Sequence, residues 1–473
     1  MARGQAVVLA GVTMVIAAGY GALSVWRHAH FATNGHDLGI FDQAMWALSR
    51  FQAPATTVRH TPLPSLFGDH FHPVLLVLVP GYWLFASPVV LLVAQALLLA
   101  AVVPLGFLLA RQLGMPPWPA VALSVALGAH PGFTTAALFE FHEVAFAPAL
   151  LLATVLLAER RRWGWYWLAL ALLLATKETM ALYAALFGVT LTLRRQWTIG
   201  LATLGVGLGY FLVVTGVVMP AIADQRMTWH TYAELGDSPR QVVEHVVRHP
   251  VASVQLLFST PEKRRTIHLL FASFAYLPVV SWTVWPMIAM TLAERFWSIR
   301  PELWVFRYHY EVVVTTVLFV ATLYVLRDAG RRRPRRDVMA AGAALLLIAT
   351  TAWAAWASGA WRNAFDRAPA GTVERWRAAL RQVPAGARVS AQGAFVPHLS
   401  HRPTIYQFPR VRDAEYVLLD PQSSPWPVTE EAIRAAQEGL GTLGWDAIWR
   451  RDTATLFRRT AGAGTLPAPT YWE

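Results

Sequence analysis

Two aspartates stand among apolar residues in the stretch NGHDLGIFDQ, residues 34–43. A carboxylate in such surroundings can act as a general base that takes the proton from an attacking hydroxyl group. Asp37 and Asp42 are therefore candidates for catalysis. Five residues on a helix correspond to a rotation of about 140°, so the two carboxylates do not form a paired acid and base.

The residues that follow Asp37 predict a short helix. Apolar side chains recur three or four positions apart from Leu38 to Leu48, which predicts an amphipathic helix over 38–49 that lies along a membrane interface. Asp37 would be its N-cap, accepting hydrogen bonds from the first turn. This role either serves the fold alone or also holds a catalytic carboxylate rigidly.

Histidines and glutamates cluster in two further stretches, GDHFHP at 68–73 and EFHE at 140–143. In an extended segment His70 and His72 point to the same side, and with His142 and Glu143 they could bind a metal ion. A His-x-His pair is a weak signal by itself. Hydrogen bonding to a substrate and an ordinary loop role are the alternatives.

Lys177 and Glu178 follow an apolar run that is too short to cross a membrane. The run from Trp163 to Ala175 spans about 20 Å as a helix, against about 30 Å for the hydrocarbon core. Ionisable groups at that depth usually face a polar cavity or a partner. The alternative is an ion pair between Lys177 and Glu178 that only neutralises itself.

A basic set completes the polar residues. These side chains could hold a phosphate through charge-assisted hydrogen bonds or could contact lipid headgroups as interfacial residues. They are Lys177, Arg295, Arg300, Arg307 and His309.

The elements that must position these residues are membrane helices. The 473 residues are 55% hydrophobic and 14% charged, and the mean hydropathy is +0.40, as expected for an all-α polytopic membrane protein. Residues 6–26 form a first helix without a clear cleavage site, which favours an uncleaved span over a signal peptide. About eleven transmembrane helices are predicted, at 6–26, 86–110, 117–136, 144–158, 163–176, 178–193, 197–218, 267–280, 282–294, 308–326 and 337–357.

Arginine clusters orient these helices, because basic loops stay in the cytoplasm. The strongest cluster is RRRPRR at 331–336. With the N-terminus cytoplasmic, the polar stretches all fall in extracytoplasmic loops, beginning with a first outer loop at 27–85. They either form one site at the outer surface of a bacterial or archaeal cytoplasmic (inner) membrane, or reflect only the more varied composition of outer loops.

The polar C-terminal part divides the chain into a transmembrane domain, 1–358, and an extracytoplasmic domain, 359–473. Helix-like segments such as RWRAALRQV alternate with short strand-like segments such as TIYQF, which predicts a small α/β domain. Its PHLSHRP stretch, with His398 and His401, could reach the outer site. The chain has no cysteine, which excludes disulfides, cysteine-ligated zinc and thiol catalysis.

Several of these stretches together resemble a large family of bacterial and archaeal membrane proteins that carry the HDLGIFDQ motif. The resemblance runs from about residue 31 to about residue 420. The family is similar to the GT-C glycosyltransferases, which move a sugar from a polyprenyl-phosphate carrier to an acceptor at the outer membrane face. The matching stretches are HDLGIFDQAMW (36–46), His-Pro at 72–73 with Pro-Gly-Tyr at 80–82, FEFHEVAFAP (139–148), TKET (176–179), LGDSP (235–239), RYHYE (307–311) and VSAQGAFVPHLSHRPTIYQFP (389–409).

The resemblance implies roles for these residues. GT-C enzymes carry an essential acidic residue just after the first helix, which implies that Asp37 is the general base and Asp42 the reserve candidate. Lys177, Arg295 and Arg307 would hold the departing lipid phosphate. The remaining residues expected to contact substrate are His36, His70, His72, Glu140, His142, Glu143, Glu178 and His309.

The resemblance also indicates partners. It implies contact with membrane lipid, a polyprenyl-phosphate-linked sugar, and a glycan, lipid or protein acceptor. No paired acidic motif of the metal-dependent kind is visible, so no cofactor is expected, and a divalent metal stays an alternative.

Other classes of protein make different demands on the sequence. A transporter or flippase for a lipid-linked or anionic solute would place polar residues near the bilayer midplane, commonly in two related halves. No internal repeat is visible in the sequence. A structural scaffold is the third reading. Nucleic-acid binding is disfavoured despite the net charge of +12, because the arginines are dispersed between apolar runs.

Overall fold

Apolar runs of this chain become helices because a membrane offers no water to satisfy backbone N–H and C=O groups. The computed structural model describes residues 3–59, 64–223, 230–330, 336–362, 364–365, 368–464 and 466. The RRRPRR stretch lies outside these residues except for Arg336. The first half of the chain contains helices α1 Arg3–Ala29, α2 Ile40–Leu48, α3 Val79–Leu84, α4 Val89–Ala100, α5 Val102–Gln112, α6 Pro117–Gly128, α7 Pro131–Phe139, α8 Phe146–Glu159, α9 Trp163–Leu174, α10 Met180–Leu193 and α11 Trp197–Val213.

The second half adds shorter helices before the last two long ones. They are α12 Met219–Ala223, α13 Pro239–Arg248, α14 Pro250–Leu256, α15 Pro261–Ala272, α16 Trp285–Phe296, α17 Glu311–Gly330, α18 Arg336–Ser358, α19 Thr372–Leu380 and α20 Glu430–Thr442.

Six helical segments among the described residues are long and apolar enough to cross a membrane. They are Arg3–Ala29, Val89–Gln112, Pro117–Phe139, Trp197–Ala223, Glu311–Gly330 and Asp337–Ser358. The predicted number of about eleven is therefore not confirmed. Several other predicted spans correspond to helices of 12 to 14 residues, such as α9 and α10, which reach only about 20 Å. Residues Pro73–Leu84 also form an apolar helical segment, although the sequence placed them in the first outer loop.

The C-terminal part contains the predicted α/β elements. Five strands, β1 Val389–Ala391, β2 Ile405–Gln407, β3 Tyr416–Leu419, β4 Trp445–Arg451 and β5 Ala454–Arg459, form one sheet. Its order is β2-β1-β3-β5-β4. The pairs that include β1 are parallel, with Val389 opposite both Ile405 and Tyr416, and the pairs that include β5 are antiparallel. Strand β4 was not anticipated from the sequence.

The sheet is bound tightly to the segment that follows α1. Leu38 and Met45 share one apolar core with Val389, Phe395 and Val396. A Cβ atom on Gly35 would lie 2.6 Å from the Val396 Cβ atom, so only glycine allows this contact. The Thr57 hydroxyl donates to the Ile405 carbonyl at 2.7 Å. The segment that follows α1 and the C-terminal sheet are thus packed together.

Candidate functional site

A π-helical turn, Gly35–Gly39, carries Asp37 into α2. Asn34 is the N-cap, and its side chain accepts a hydrogen bond from the His36 N–H at 3.0 Å. The prediction that Asp37 caps a helix starting at residue 38 is therefore wrong. The prediction of an interfacial surface helix is also wrong, because most residues of α2 are buried.

Glu140 fixes the backbone on both sides of Asp37. Its Oε1 atom accepts from the Asn34 N–H at 2.6 Å, and its Oε2 atom accepts from the Leu38 N–H at 2.9 Å. These two bonds satisfy first-turn donors that a cap would otherwise serve. The Asp37 carboxylate is left for other contacts.

Asp37 makes its closest side-chain contact with His142. Its Oδ1 atom lies 3.1 Å from His142 Nε2, and the Asp37 side chain is 24% exposed against 8% for His142. The His142 ring stacks on His309, with 3.5 Å between centroids, and on Phe139. This stacking holds the imidazole in one orientation against the carboxylate.

The pKa values of Asp37 and Glu140 are shifted in opposite directions. Burial would raise the pKa of Asp37, but the hydrogen bond from His142 and the charges of His142 and His36 outweigh it and leave the pKa below its ordinary value. Burial and the charge of Asp37 hold the pKa of Glu140 well above its ordinary value. Asp37 is therefore the ionised carboxylate of the pair.

Lys177 joins the same cluster through Glu143. Its Nζ atom lies 3.2 Å from Glu143 Oε1, and the lysine side chain is 20% exposed while the glutamate is buried. Burial would lower the pKa of Lys177, but Glu143, Glu178 and Glu294 outweigh it and raise that pKa. The ammonium group therefore stays charged. The chain contains only two lysines.

Glu178 pairs with His70 and not with Lys177. Its Oε1 atom lies 2.8 Å from His70 Nδ1, and its Oε2 atom accepts from the Phe71 N–H at 3.0 Å. Burial would raise the pKa of Glu178, but His70 and Lys177 bring it to about 2. The reading in which Lys177 and Glu178 neutralise each other does not describe this geometry.

His72 is buried beside these pairs. Within the described residues, neither of its ring nitrogens has a hydrogen-bond partner. Burial lowers its pKa to about 4, so the ring is neutral. Among all the residues that the structure describes, no three His, Asp or Glu side chains lie together as metal ligands would.

Three of the predicted site residues contact other parts of the protein instead of Asp37 and His142. Arg295 is buried and donates to Glu311 Oε1 at 2.9 Å and to the Leu303 carbonyl at 3.0 Å, so it braces the loop before α17. Arg307 is exposed, and its guanidinium carbon lies 5.7 Å from the centre of the Tyr308 ring. Asp42 is fully buried and accepts from Tyr82 at 2.6 Å, on the side of the C-terminal sheet.

Sequence reasoning missed the residue that connects these elements. Gln95 of α4 donates through Nε2 to the Ala136 carbonyl at 2.9 Å and to the Glu140 carbonyl, and accepts from the His142 N–H at 3.0 Å. It thereby fixes the EFHE segment, in which Glu140 binds the backbone on both sides of Asp37 and His142 contacts the Asp37 carboxylate. A single glutamine in the apolar run VVLLVAQALLLA was the available signal.

The C-terminal domain reaches the same corner. The Trp426 ring lies edge-on to His36, with 5.3 Å between centroids. Burial lowers the pKa of His36, and the charges of Arg59 and Arg300 add to this effect. The polar corner therefore combines an ionised carboxylate, a charged lysine and an aromatic ring of the C-terminal domain.

Comparisons with known proteins agree with this architecture. The model of a family described as predicted membrane protein (DUF2079) matches residues 27–452. The crystal structure of ArnT from Cupriavidus metallidurans bound to undecaprenyl phosphate superposes with a TM-score of 0.56 and 13% identity, covering 98% of this chain and 100% of that chain. The apo structure of the same ArnT gives 0.56 and 13%, covering 98% and 99%. No curated protein sequence matches significantly.

Proposed function

The chain belongs to the DUF2079 family of membrane proteins, and we propose that it transfers a sugar from a polyprenyl-phosphate-linked donor to an acceptor. The acceptor hydroxyl would belong to a glycan, a lipid or a protein at the extracytoplasmic face of the inner membrane. The fold supports this proposal, because it is shared with an ArnT that was crystallised with undecaprenyl phosphate.

The observation that carries the proposal is the contact between Asp37 and His142 next to the pair of Lys177 and Glu143. The Asp37 carboxylate is ionised, partly exposed and in contact with His142 Nε2. Glu143 lies close enough to influence the pKa of Asp37, and it also contacts Lys177. A base and a cation are thus available to one substrate.

In the proposed reaction, the acceptor oxygen attacks the anomeric carbon of the sugar. Asp37 accepts the proton of the acceptor hydroxyl, with His142 holding the carboxylate in place. The bond between the anomeric carbon and the phosphate oxygen breaks, and its electron pair leaves with the polyprenyl phosphate. Lys177 stabilises the charge that develops on this leaving group.

A lipid-linked donor fits the sequence as well as the site. Nucleotide sugars are cytoplasmic, and the sequence contains no glycine-rich phosphate-binding loop. A membrane carrier can present its phosphate at the depth where Lys177 and Glu178 follow the short helix α9. In this proposal the donor phosphate would meet Lys177 below the lipid surface.

The decisive experiment is transfer by the purified protein from a panel of polyprenyl-phosphate-linked sugars. Asp37→Asn should abolish transfer while leaving yield and thermal stability nearly unchanged, because Glu140 and Asn34 hold the turn. The matched control is Asp446→Asn, which changes an exposed carboxylate on β4 and should retain full activity. Full activity in Asp37→Asn would refute the role of Asp37.

A second measurement separates binding from chemistry. Native mass spectrometry should show bound polyprenyl phosphate that Lys177→Ala weakens and Asp37→Asn does not. Lys263→Met, at the other lysine, is the control. Movement of a carrier lipid across vesicles by both wild type and Asp37→Asn, without any sugar transfer, would favour the flippase instead.

A further inference from the structure

A cavity lies between the N-terminal end of α4 and the C-terminal domain. Its volume is about 290 Å³, and its walls include His28, Ser87, His398, His401 and Arg402. None of these residues belongs to the Asp37 corner. The size suits a phosphate group with a small attached headgroup better than a large apolar ligand.

Arg402 is a buried cation of this wall. The residue is 6% exposed, and its Nε and Nη1 groups donate to the backbone carbonyls of Leu399 and Ala387 at 2.6 and 2.9 Å. Within the described ranges it forms no ion pair, and its Nη2 group donates no hydrogen bond. A buried guanidinium without a counter-charge calls for an anionic partner.

His401 adds a hydrogen-bond acceptor to the wall. Its Nε2 atom lies 3.0 Å from Asp42 Oδ2, and its side chain is 27% exposed. Asp42 also accepts from Tyr82 and from the Ser400 hydroxyl. Because Nε2 donates to this carboxylate, Nδ1 is the accepting nitrogen of the His401 ring and can accept a hydrogen bond from a ligand in the cavity.

His398 forms an aromatic part of the wall. Its Nε2 atom is buried and has no partner among the described residues. The His398 ring stacks on His28, with 4.2 Å between centroids, and His28 Nδ1 is engaged by Thr33 at 3.0 Å.

We propose that this cavity binds a phosphate ester that carries a hydroxylated headgroup, with Arg402 contacting the phosphate and the His401 Nδ1 atom accepting a hydrogen bond from the hydroxyl group. The ester belongs either to a membrane lipid or to a free small molecule. The surroundings make a lipid accessible, because Trp83, Leu84 and Phe85, directly before the cavity wall, expose more than half of their surface. This site is independent of the proposed transfer reaction.

The test uses the full-length protein in detergent and native mass spectrometry. One arm titrates phosphatidylglycerol, a second titrates glycerol phosphate, and a third titrates a neutral diacylglycerol glycoside. Arg402→Gln should weaken binding of the phosphate-bearing probe about tenfold or more, as expected for the loss of a charge-assisted contact. Arg434→Gln, at an exposed arginine of α20, is the matched control and should bind normally.

A second variant protects the test against misfolding of Arg402→Gln. Ala86 is exposed and lines the cavity, so Ala86→Trp should fill it while every charge stays in place. Binding of phosphatidylglycerol alone, lost in Ala86→Trp, supports a lipid headgroup site. Binding of glycerol phosphate, lost in the same variant, supports a site for a free phosphate ester.

Three results would overturn the proposal. Neither phosphate probe binds the wild type, both bind Ala86→Trp as well as the wild type, or the neutral glycolipid binds as tightly as phosphatidylglycerol. Lys177→Ala should leave this binding unchanged, which separates it from the carrier phosphate of the transfer reaction.

Discussion

Replacing Glu143 by glutamine should strengthen the binding of polyprenyl phosphate. In the free protein, Glu143 Oε1 lies 3.2 Å from Lys177 Nζ and neutralises the cation that we assign to the phosphate. At an effective dielectric constant of about 20, that attraction is about 5 kcal/mol. A phosphate that approaches Lys177 also approaches the negative charge of Glu143.

The size of the effect follows from the repulsion between Glu143 and the phosphate. For charges about 6 Å apart at the same dielectric constant, it is about 3 kcal/mol. Solvent at the partly exposed lysine reduces this value, so Glu143→Gln should lower the Kd by about 10- to 100-fold. Lys177 keeps the nearby charges of Glu178 and Glu294 in this variant, which limits the loss of stability.

The assay is equilibrium binding of a short-chain polyprenyl phosphate to wild type, Glu143→Gln, Lys177→Met and the double variant. Lys177→Met should bind weakly, and the double variant should bind more tightly than Lys177→Met. Glu438→Gln, at an exposed carboxylate of α20, is the control. If Glu143→Gln weakens binding as much as Lys177→Met, the pair only braces the fold and Lys177 is not the phosphate ligand.

Three further expectations follow from the structure. His142→Phe removes the hydrogen bond and the charge that lower the pKa of Asp37, so the acidic limb of kcat/KM should move to higher pH; an unchanged profile would contradict Asp37 as the base. Burial and the charge of Lys177 lower the folded-state pKa of His70, but Glu178 and Asp69 outweigh them and raise it. The pairing of protonated His70 with Glu178 therefore stabilises the fold below the unfolded pKa of about 6.5. This stabilisation is lost as the pH rises through the folded pKa. His70→Asn should therefore lower the thermal midpoint more at about pH 6 than at about pH 9, and an equal loss at both would refute the pairing. Finally, the chain has no cysteine, so a single introduced cysteine reports which side of the membrane it lies on. Ala435→Cys on α20 should react with a membrane-impermeant maleimide in intact cells, and Gln112→Cys should react only after lysis. The reverse pattern would show that the predicted topology is inverted.

The sequence located the candidate residues better than it located their partners. Asp37, His142 and Lys177 were all selected from short polar stretches, because carboxylates, imidazoles and amines stand out in an apolar chain. The N-cap role of Asp37 was wrong for a physical reason. The acceptor for the Leu38 N–H is Glu140, 102 positions away in sequence, and local periodicity carries no information about such a contact.

Arg295 and Asp42 show the same limit. Arginine chemistry suits phosphate, but whether Arg295 is available depends on Glu311, which comes from another helix. Asp42 meets Ser400 and His401 across 358 and 359 positions of the chain. Residue type predicts what a side chain can do, whereas tertiary packing decides which side chains are already engaged.

The C-terminal domain helps to hold the turn that carries Asp37. Val396 packs against Gly35 and Gly39 at either end of the π-helical turn, and the Gly393 carbonyl accepts from the Gly35 N–H at 2.8 Å. Arg410 donates to the backbone carbonyls of Val58 and Arg59 in the same outer loop. The turn that carries Asp37 is therefore held between Glu140 on the membrane side and the C-terminal domain on the other. Glu140 and the C-terminal domain both bind the backbone of this turn. The side chain of Asp37 is therefore oriented before any substrate arrives, which is the condition for an effective base.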